Sequence, residues 1–261
     1  MTTLDIDGAQ LAYDVEGDGA HAIAFAHGWC SKAAHWDAQA EAFRSSYRIV
    51  RWDRRGMGRA LSSQPADSPA RHADDLAAIL DAEGIDKVTV VGHAGGGPSA
   101  VTFAVQHSQR VEGLILVDTR LNAAPADGQP NPWGDYIETM CSQLLSDGAP
   151  YFDTLYRSFF GHRAPAAVVD DAVANALATS PETAAAELRH MSGDTAALAR
   201  RVACPVLWVS TQPDDTASVR QLFDDLTVGH VVGSGHFLQL EVPDQLNPMI
   251  AAFLADKVVG P

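Results

Sequence analysis

The residues best placed to do chemistry gather around an alanine. The stretch Val90-Val91-Gly92-His93-Ala94-Gly95-Gly96-Gly97 joins the end of an apolar β-run, Lys87 to Val91, to a small-residue helix over Ser99–His107. Glycines on both sides of a one-residue apex permit the sharp strand–turn–helix geometry of a nucleophile elbow, G-x-S-x-G. Gly92, Gly95 and Gly96 fit that pattern, but the apex, where a serine hydroxyl would attack an acyl carbon, is Ala94. An alanine methyl cannot form that bond. Further along, Gly233-Ser234-Gly235-His236-Phe237 holds a histidine in a glycine-rich turn just ahead of a helix, and Asp118 and Asp214 are carboxylates able to orient it.

These groups need strands to deliver them. Leu4–Gly8 and Leu11–Val15 alternate around Gly8 as an antiparallel hairpin of edge strands would. Ala22-Ile23-Ala24-Phe25-Ala26 is continuously apolar, the mark of a sheet covered on both faces, and it runs into His27-Gly28-Trp29-Cys30. Helix patterns over His35–Arg44 and Ala70–Glu83, with Gly84 as C-cap, alternate with strands over Tyr47–Trp52, Lys87–Val91 and Gly113–Val117. From Asn122 to Gly193 the strands stop. Pro125, Pro130 and Pro132 break the chain, and four helical stretches follow, over Gly134–Ser146, Tyr151–Phe160, Pro165–Ala178 and Pro181–Met191. Strands resume over Pro205–Val209 and Gly229–Val232, and a helix over Asp244–Leu254 closes the pattern. This alternation predicts an α/β fold, a doubly wound and mostly parallel sheet with an inserted helical cap. Residues 1–121 and 194–261 would form the core and 122–193 the cap.

Composition sets the limits. The chain has 261 residues, long enough for a full core in one α/β unit, with 33 acidic and 18 basic residues and a net charge of −15. That balance argues against nucleic acid or an anionic membrane as a partner. No apolar run reaches the roughly 18 residues of a membrane span. The N-terminus shows no basic-then-apolar leader, and the three cysteines, Cys30, Cys141 and Cys204, have no C-x-x-C spacing. A reducing, cytoplasmic setting without disulfides is the expectation. His35, His72, His107, His162, His190 and His230 lack ligand spacing, so neither a metal nor a cofactor is expected. The pattern sets no oligomeric state.

Ligands of doubly wound sheets sit outside the carboxyl ends of the strands. There the sequence places His27-Gly28-Trp29, Ala94, Asp118 and the Asp214-Asp215 loop, with His236 in the last turn. Over nearly its whole length the chain resembles the α/β-hydrolase fold family. His27-Gly28-Trp29 matches that family's H-G-x loop, and Asp53-Arg54-Arg55-Gly56-Met57-Gly58 matches its D-x-R-G-x-G loop. Gly92-His93-Ala94-Gly95-Gly96 matches the elbow except at the nucleophile. Gly235-His236-Phe237 with Glu241-Val242-Pro243 matches the histidine turn and closing helix.

The resemblance implies an oxyanion hole from the backbone N–H groups of Trp29 and Gly95, set by the loop that His27 and Gly28 begin, and His236 as general base. Both family positions for the acid are filled: Asp118 after the sixth strand, and Asp214 in a turn, Ser210-Thr211-Gln212-Pro213-Asp214-Asp215, that lacks the family's glycine. His93, under the elbow, is expected to pack. Cys30 sits on a different loop from the elbow and is a poor nucleophile candidate. Trp133, Tyr136, Phe152, Tyr156, Phe159 and Phe160 would build the cap's own core, two or three of them lining an apolar pocket.

Three readings of Ala94 follow. In the first, the chain is a serine-to-alanine, substrate-trapping form of a hydrolase of a small-to-medium hydrophobic ester or lactone. In the second, alanine is the working residue and a His236–Asp118 pair acts alone as base. The chain is similar there to the cofactor-independent ring-cleaving dioxygenases of 3-hydroxy-4-quinolones, which share the His-Gly-Trp-Cys stretch and the acid after the sixth strand. In the third, the chain is a non-catalytic, ligand-binding member of the fold. All three share a small hydrophobic organic partner.

Overall fold

The computed structural model describes residues 2–60, 66, 68–126, 129–212 and 216–259. Among these residues, eight strands form one sheet in the order β1-β2-β4-β3-β5-β6-β7-β8. They are β1 (Thr2–Ile6), β2 (Ala9–Glu16), β3 (Ala22–Ala26), β4 (Arg48–Trp52), β5 (Val88–His93), β6 (Val111–Val117), β7 (Val206–Ser210) and β8 (Leu226–His230). Strands β1 and β2 are antiparallel, β2 runs antiparallel to β4, and every later pairing is parallel. The first hairpin turns on Asp7-Gly8, both at positive φ (47° and 78°), which is the backbone of a type I′ turn.

Strand periodicity sorts the central side chains onto two faces. Ala24, Val90, Leu116 and Trp208 point into one core, against α2 (Pro69–Ala82) and α3 (Gly97–Gln106). Phe25, Val91, Ile115 and Leu207 point into the other, against α1 (Asp37–Phe43) and α11 (Pro243–Phe253). Helices on both faces explain why β3, β5 and β7 are buried at every position.

Between β6 and β7 lie α4 (Pro132–Asp147), α5 (Ala149–Ser158), α6 (Ala166–Ala178), α7 (Pro181–His190) and α8 (Thr195–Ala199). The prolines that punctuate this stretch are mostly helix starts. Asn131 accepts from Gly134 N ahead of Pro132, and Ser180 accepts from Thr183 N ahead of Pro181. A third core, built of Ile137, Leu144, Phe152, Tyr156 and Leu188, reaches down to Trp29 and Phe237. Short helices α9 (Thr216–Val219) and α10 (Leu238–Glu241) complete the set. The eighth strand begins three residues earlier than the sequence pattern placed it. Leu226 and Val228 pack on the core and pair with β7, whereas Val232, apolar but 75% exposed, lies past the last pair, Ser210↔His230.

One buried ionic cluster ties the inserted helices to the sheet. Arg54, in the loop after β4, donates from Nη1 to Glu187 Oε2 of α7 at 2.9 Å, and His72 of α2 contacts Glu187 Oε1 at 2.9 Å. All three side chains are at least 96% sequestered from solvent. Burial opposes the Glu187 charge, but His72 and Arg54 more than offset it and hold the carboxyl near 2. His72 is itself pushed down by burial, against the opposing pull of the Glu187 charge. Glu187→Ala leaves a guanidinium buried without its counter-charge, and urea unfolding is expected to show a loss of about 3–5 kcal/mol. Acid acts in the same direction. The folded-state value of Glu187 lies below the ordinary one, so its contribution is complete above about pH 4.5 and is lost as pH falls toward 2.

Candidate active site

The carboxyl edge of the sheet brings Ala94, Asp118 and His236 to one cavity of about 540 Å³. Trp29 and Gly95 line it from below; Trp133, Ile137, Met140, Tyr156, Phe159, Leu188 and Met191 line it from the inserted helices and their connections. Its walls are mainly aromatic and aliphatic, as suits an apolar organic ligand. His27 and Gly28 lie behind Trp29 rather than on the wall. Asp214 lies outside the described residues.

His236 is fixed from several directions. Its Nδ1 meets Asp118 Oδ2 at 2.6 Å, and its backbone N–H donates to Phe159 O at 2.7 Å. A carboxylate accepts only, so Nδ1 carries the hydrogen and Nε2 is left as the basic nitrogen. Beneath it lies the fully buried His93, ring centroids 4.8 Å apart. His93 Nε2 donates to His236 O at 2.8 Å, and its Nδ1 accepts from Gln239 Nε2 at 3.2 Å. Burial, then the nearby His236, push His93 down to about 3, so it stays neutral and its tautomer is set by these two bonds. Glu241 fastens the turn itself: Oε2 accepts from Gly235 N and Gly161 N, and Oε1 from Phe237 N.

Asp118 ends β6 with φ at +43°, a left-handed backbone. Its N–H donates to Val209 O, while Oδ1 accepts from Ser210 Oγ at 3.2 Å and Thr211 N at 3.3 Å. Burial works against its charge, but the hydrogen bond and charge of His236, with Thr211, keep the carboxyl below its usual range. Thr211, in the turn where the sequence pattern offered an acid at Asp214, thus braces Asp118.

Ala94 also has a positive φ, +47°. A single left-handed non-glycine residue costs roughly 1–2 kcal/mol, and here the surroundings enforce it. A Cβ on Gly96 would stand 2.5 Å from His27 O, so no other residue lets the elbow close so tightly on β3. Position 94 therefore presents its side chain to the cavity as a nucleophile position would.

The Gly28–Trp29 peptide is oriented by its carbonyl. Gly28 O accepts from His27 Nδ1 at 2.9 Å, Arg54 Nη2 at 3.0 Å and Ser31 N at 3.4 Å. The peptide is trans, so the Trp29 N–H points the opposite way, and no described residue accepts it. It faces Gly95: a Cβ there would stand 3.2 Å from Trp29 N. Gly95 belongs to the first turn after the elbow, where N–H groups have no partner within the helix. The two N–H groups can converge on a developing oxyanion.

His27 has both ring nitrogens engaged by backbone, Nδ1 donating to Gly28 O and Nε2 accepting from Arg54 N at 2.9 Å. Cys30 is fully buried, and burial pushes its thiol well up, away from the thiolate needed for attack. Among the described residues no group of three or more His, Cys, Asp or Glu side chains could hold a metal ion, and no helix is long and apolar enough to cross a membrane. Sequence reasoning passed over Glu187, Gln239 and the bracing role of Thr211. Their partners lie far away in the chain, and a glutamate on a helix carries no local signal. In Asp118→Asn, the downfield imidazole N–H resonance expected of so short a bond to a carboxylate disappears from the proton spectrum, and turnover through His236 drops on the order of 10²–10⁴-fold.

Comparison with known proteins agrees with this fold. The putative carbamate hydrolase RutD of Caulobacter segnis is 33% identical over 123 residues, 45% of this chain and 45% of the relative, so the chain spans less than half of that relative's length. The bifunctional esterase/perhydrolase DCH of Acinetobacter calcoaceticus is 27% identical over 173 residues, covering 64% of this chain and 63% of the relative. Among solved structures, a thermophilic esterase from Thermogutta terrifontis superposes with a TM-score of 0.84 at 22% identity, over 99% of this chain and 98% of the other, which is a likeness of fold. The model of the alpha/beta hydrolase family matches residues 23–248, and the chain belongs to that family.

Proposed function

We propose that this chain has the site of a hydrolase for small-to-medium apolar esters or lactones, with Ala94 standing where the nucleophile would be. The observation that carries the reading is the left-handed backbone at Ala94, φ +47°, in the same cavity as the His236–Asp118 pair. An alanine gains nothing from that conformation; a nucleophile does, because it lifts the side chain clear of the turn. The relatives named as hydrolases and esterases support the bond class.

In the chain as it stands, the available route is direct. A water positioned by His236 Nε2 attacks the ester carbon, its proton passing to His236. Trp29 and Gly95 N–H receive the oxyanion, and His236 returns the proton to the departing alkoxide, giving acid and alcohol. Without covalent catalysis this route is slow, and the site holds substrate longer than it turns it over.

A second reading is favoured by one observation: the carboxylate on His236 comes from the end of β6, at Asp118. That is the arrangement the resemblance to 3-hydroxy-4-quinolone dioxygenases implies. There the pair would deprotonate an acidic hydroxyl, and the substrate anion would react with oxygen.

The test compares three proteins on 4-nitrophenyl acetate and butyrate. Ala94→Ser is expected to gain on the order of 10⁴–10⁶-fold over the parent and to be labelled by a serine-directed phosphonate. His236→Ala should abolish what the parent retains. If Ala94→Ser neither turns over these esters nor takes the label, the ester reading is wrong. Oxygen consumption by the parent with a 3-hydroxy-4-quinolone, lost in His236→Ala and unchanged in Ala94→Ser, would establish the second reading.

A further inference from the structure

The cavity carries one cation that the chemistry above does not use. Arg120, two residues beyond Asp118, lines it beside Asn122 and Trp133. The same three residues line a second cavity of about 480 Å³, which also contains Arg200. Arg120 is thus in the wall between the two spaces.

Its guanidinium is held but not neutralised. The guanidinium carbon lies 4.7 Å from the centre of the Trp133 ring, and Nε donates to Asn122 Oδ1 at 2.8 Å. Asn122 Nδ2 and Trp133 Nε1 both donate to Met191 O, at 2.9 and 3.0 Å, so the surface that seats the guanidinium is itself anchored. Among the described residues its Nη groups have no acceptor, and neither Arg120 nor Arg200 is paired with a carboxylate. Acidic residues outnumber basic ones 33 to 18, and most of the arginines are paired with one. Arg44, Arg48, Arg51, Arg110, Arg157 and Arg189 all have such partners. A stacked, edge-anchored guanidinium with its outer N–H pair unused matches a planar carboxylate, which it binds bidentately. A protein of net charge −15 repels free anions at long range, so an anionic ligand is retained only by a local cation of this kind.

We infer that the ligand of this site is an ester or lactone whose acyl part ends in a carboxylate, with Arg120 as the residue that selects it. The inference deepens the hydrolase reading and rests on it for the ester bond, though not for the carboxylate; it narrows the apolar ligand of that reading to one that is apolar between its ester and a charged end. The apolar walls take the chain between the two ends. Arg200 extends the positive potential into the second cavity, where longer acyl chains would reach.

Two measurements test it separately from turnover. Monomethyl succinate and methyl butyrate differ only by a carboxylate in place of a methyl. In calorimetry at low salt the parent should bind the succinate monoester at least 10-fold more tightly, with the preference falling as salt rises. In the Ala94→Ser background, the kcat/KM ratio of 4-nitrophenyl hydrogen succinate to 4-nitrophenyl butyrate should fall at least 10-fold when Arg120→Gln is added, mainly through KM. Arg201→Gln removes the same charge from an exposed position outside both cavities and should leave the ratio alone. A ratio insensitive to Arg120→Gln, or a preference for the neutral ester, overturns the inference while leaving ester hydrolysis intact. Arg120-dependent succinate binding with no ester turnover by Ala94→Ser has the opposite meaning: the carboxylate site stands and the hydrolase reading falls.

Discussion

A guanidinium buried at the end of β4 holds this site in shape. Arg54 contributes its backbone N–H to His27, one Nη to Gly28 O and the other to Glu187 on α7. One side chain thereby orients the Gly28–Trp29 peptide and clamps the helices above it. The charge cannot be left there alone, since an unpaired buried ion is worth several kcal/mol of instability. Glu187 is therefore required by Arg54, and Arg54 by the carbonyl it pins. The cavity roof and the N–H groups on its floor are in this way parts of one electrostatic unit, with Leu188 and Met191 beside Glu187 forming part of the wall.

Backbone strain is concentrated at the same edge. Of the four described non-glycine residues with positive φ, Asp7 serves the first hairpin, and the other three follow β3, β5 and β6: Cys30, Ala94 and Asp118. Each costs about 1–3 kcal/mol and persists only where neighbours over-determine it. Cys30 turns the chain directly after Trp29; Ala94 lifts position 94 into the cavity; Asp118 swings a carboxylate toward His236. Each instance changes where a chemically relevant group points.

Much of this was legible in the sequence because it is local. Continuous apolar runs such as Ala22–Ala26 require a sheet covered on both faces, and the glycines around Ala94 require a tight turn; neither depends on distant residues. The same logic misplaced β8, where Val231-Val232 carries the apolar signal but pairing stops at His230. It also left both Asp118 and Asp214 open as the partner of His236, because local pattern cannot report which carboxylate a distant histidine will meet; in the fold His236 meets Asp118. Glu187 was invisible for a related reason. Its partners, Arg54 and His72, are 133 and 115 residues away, and only the packing of α7 on the β4 loop makes the glutamate different from others on helices. The histidines divide in the same manner: His72 and His93 proved to be buried hydrogen-bonding groups, which no spacing rule distinguishes from surface ones.

The anchors of His236 explain how the site retains its order without a nucleophile. Phe159 O takes its backbone hydrogen, His93 donates to its carbonyl, Asp118 takes its Nδ1 hydrogen, and Glu241 ties down the flanking glycine. None of these bonds passes through the side chain at position 94. Likewise the orientation of the Trp29 N–H depends on Arg54, His27 and Ser31, again without that side chain. His236 and the Trp29 N–H are thus held in place by bonds independent of the side chain at position 94. On the proposed reading, an alanine where a nucleophile would stand consequently removes one reaction without dismantling the site. The same scaffold is then open to chemistry in which the base acts on water or on the substrate itself. Which of these it performs is decided by what the cavity binds, so the selecting residues, Arg120 among them, carry as much of the function as the residues that react.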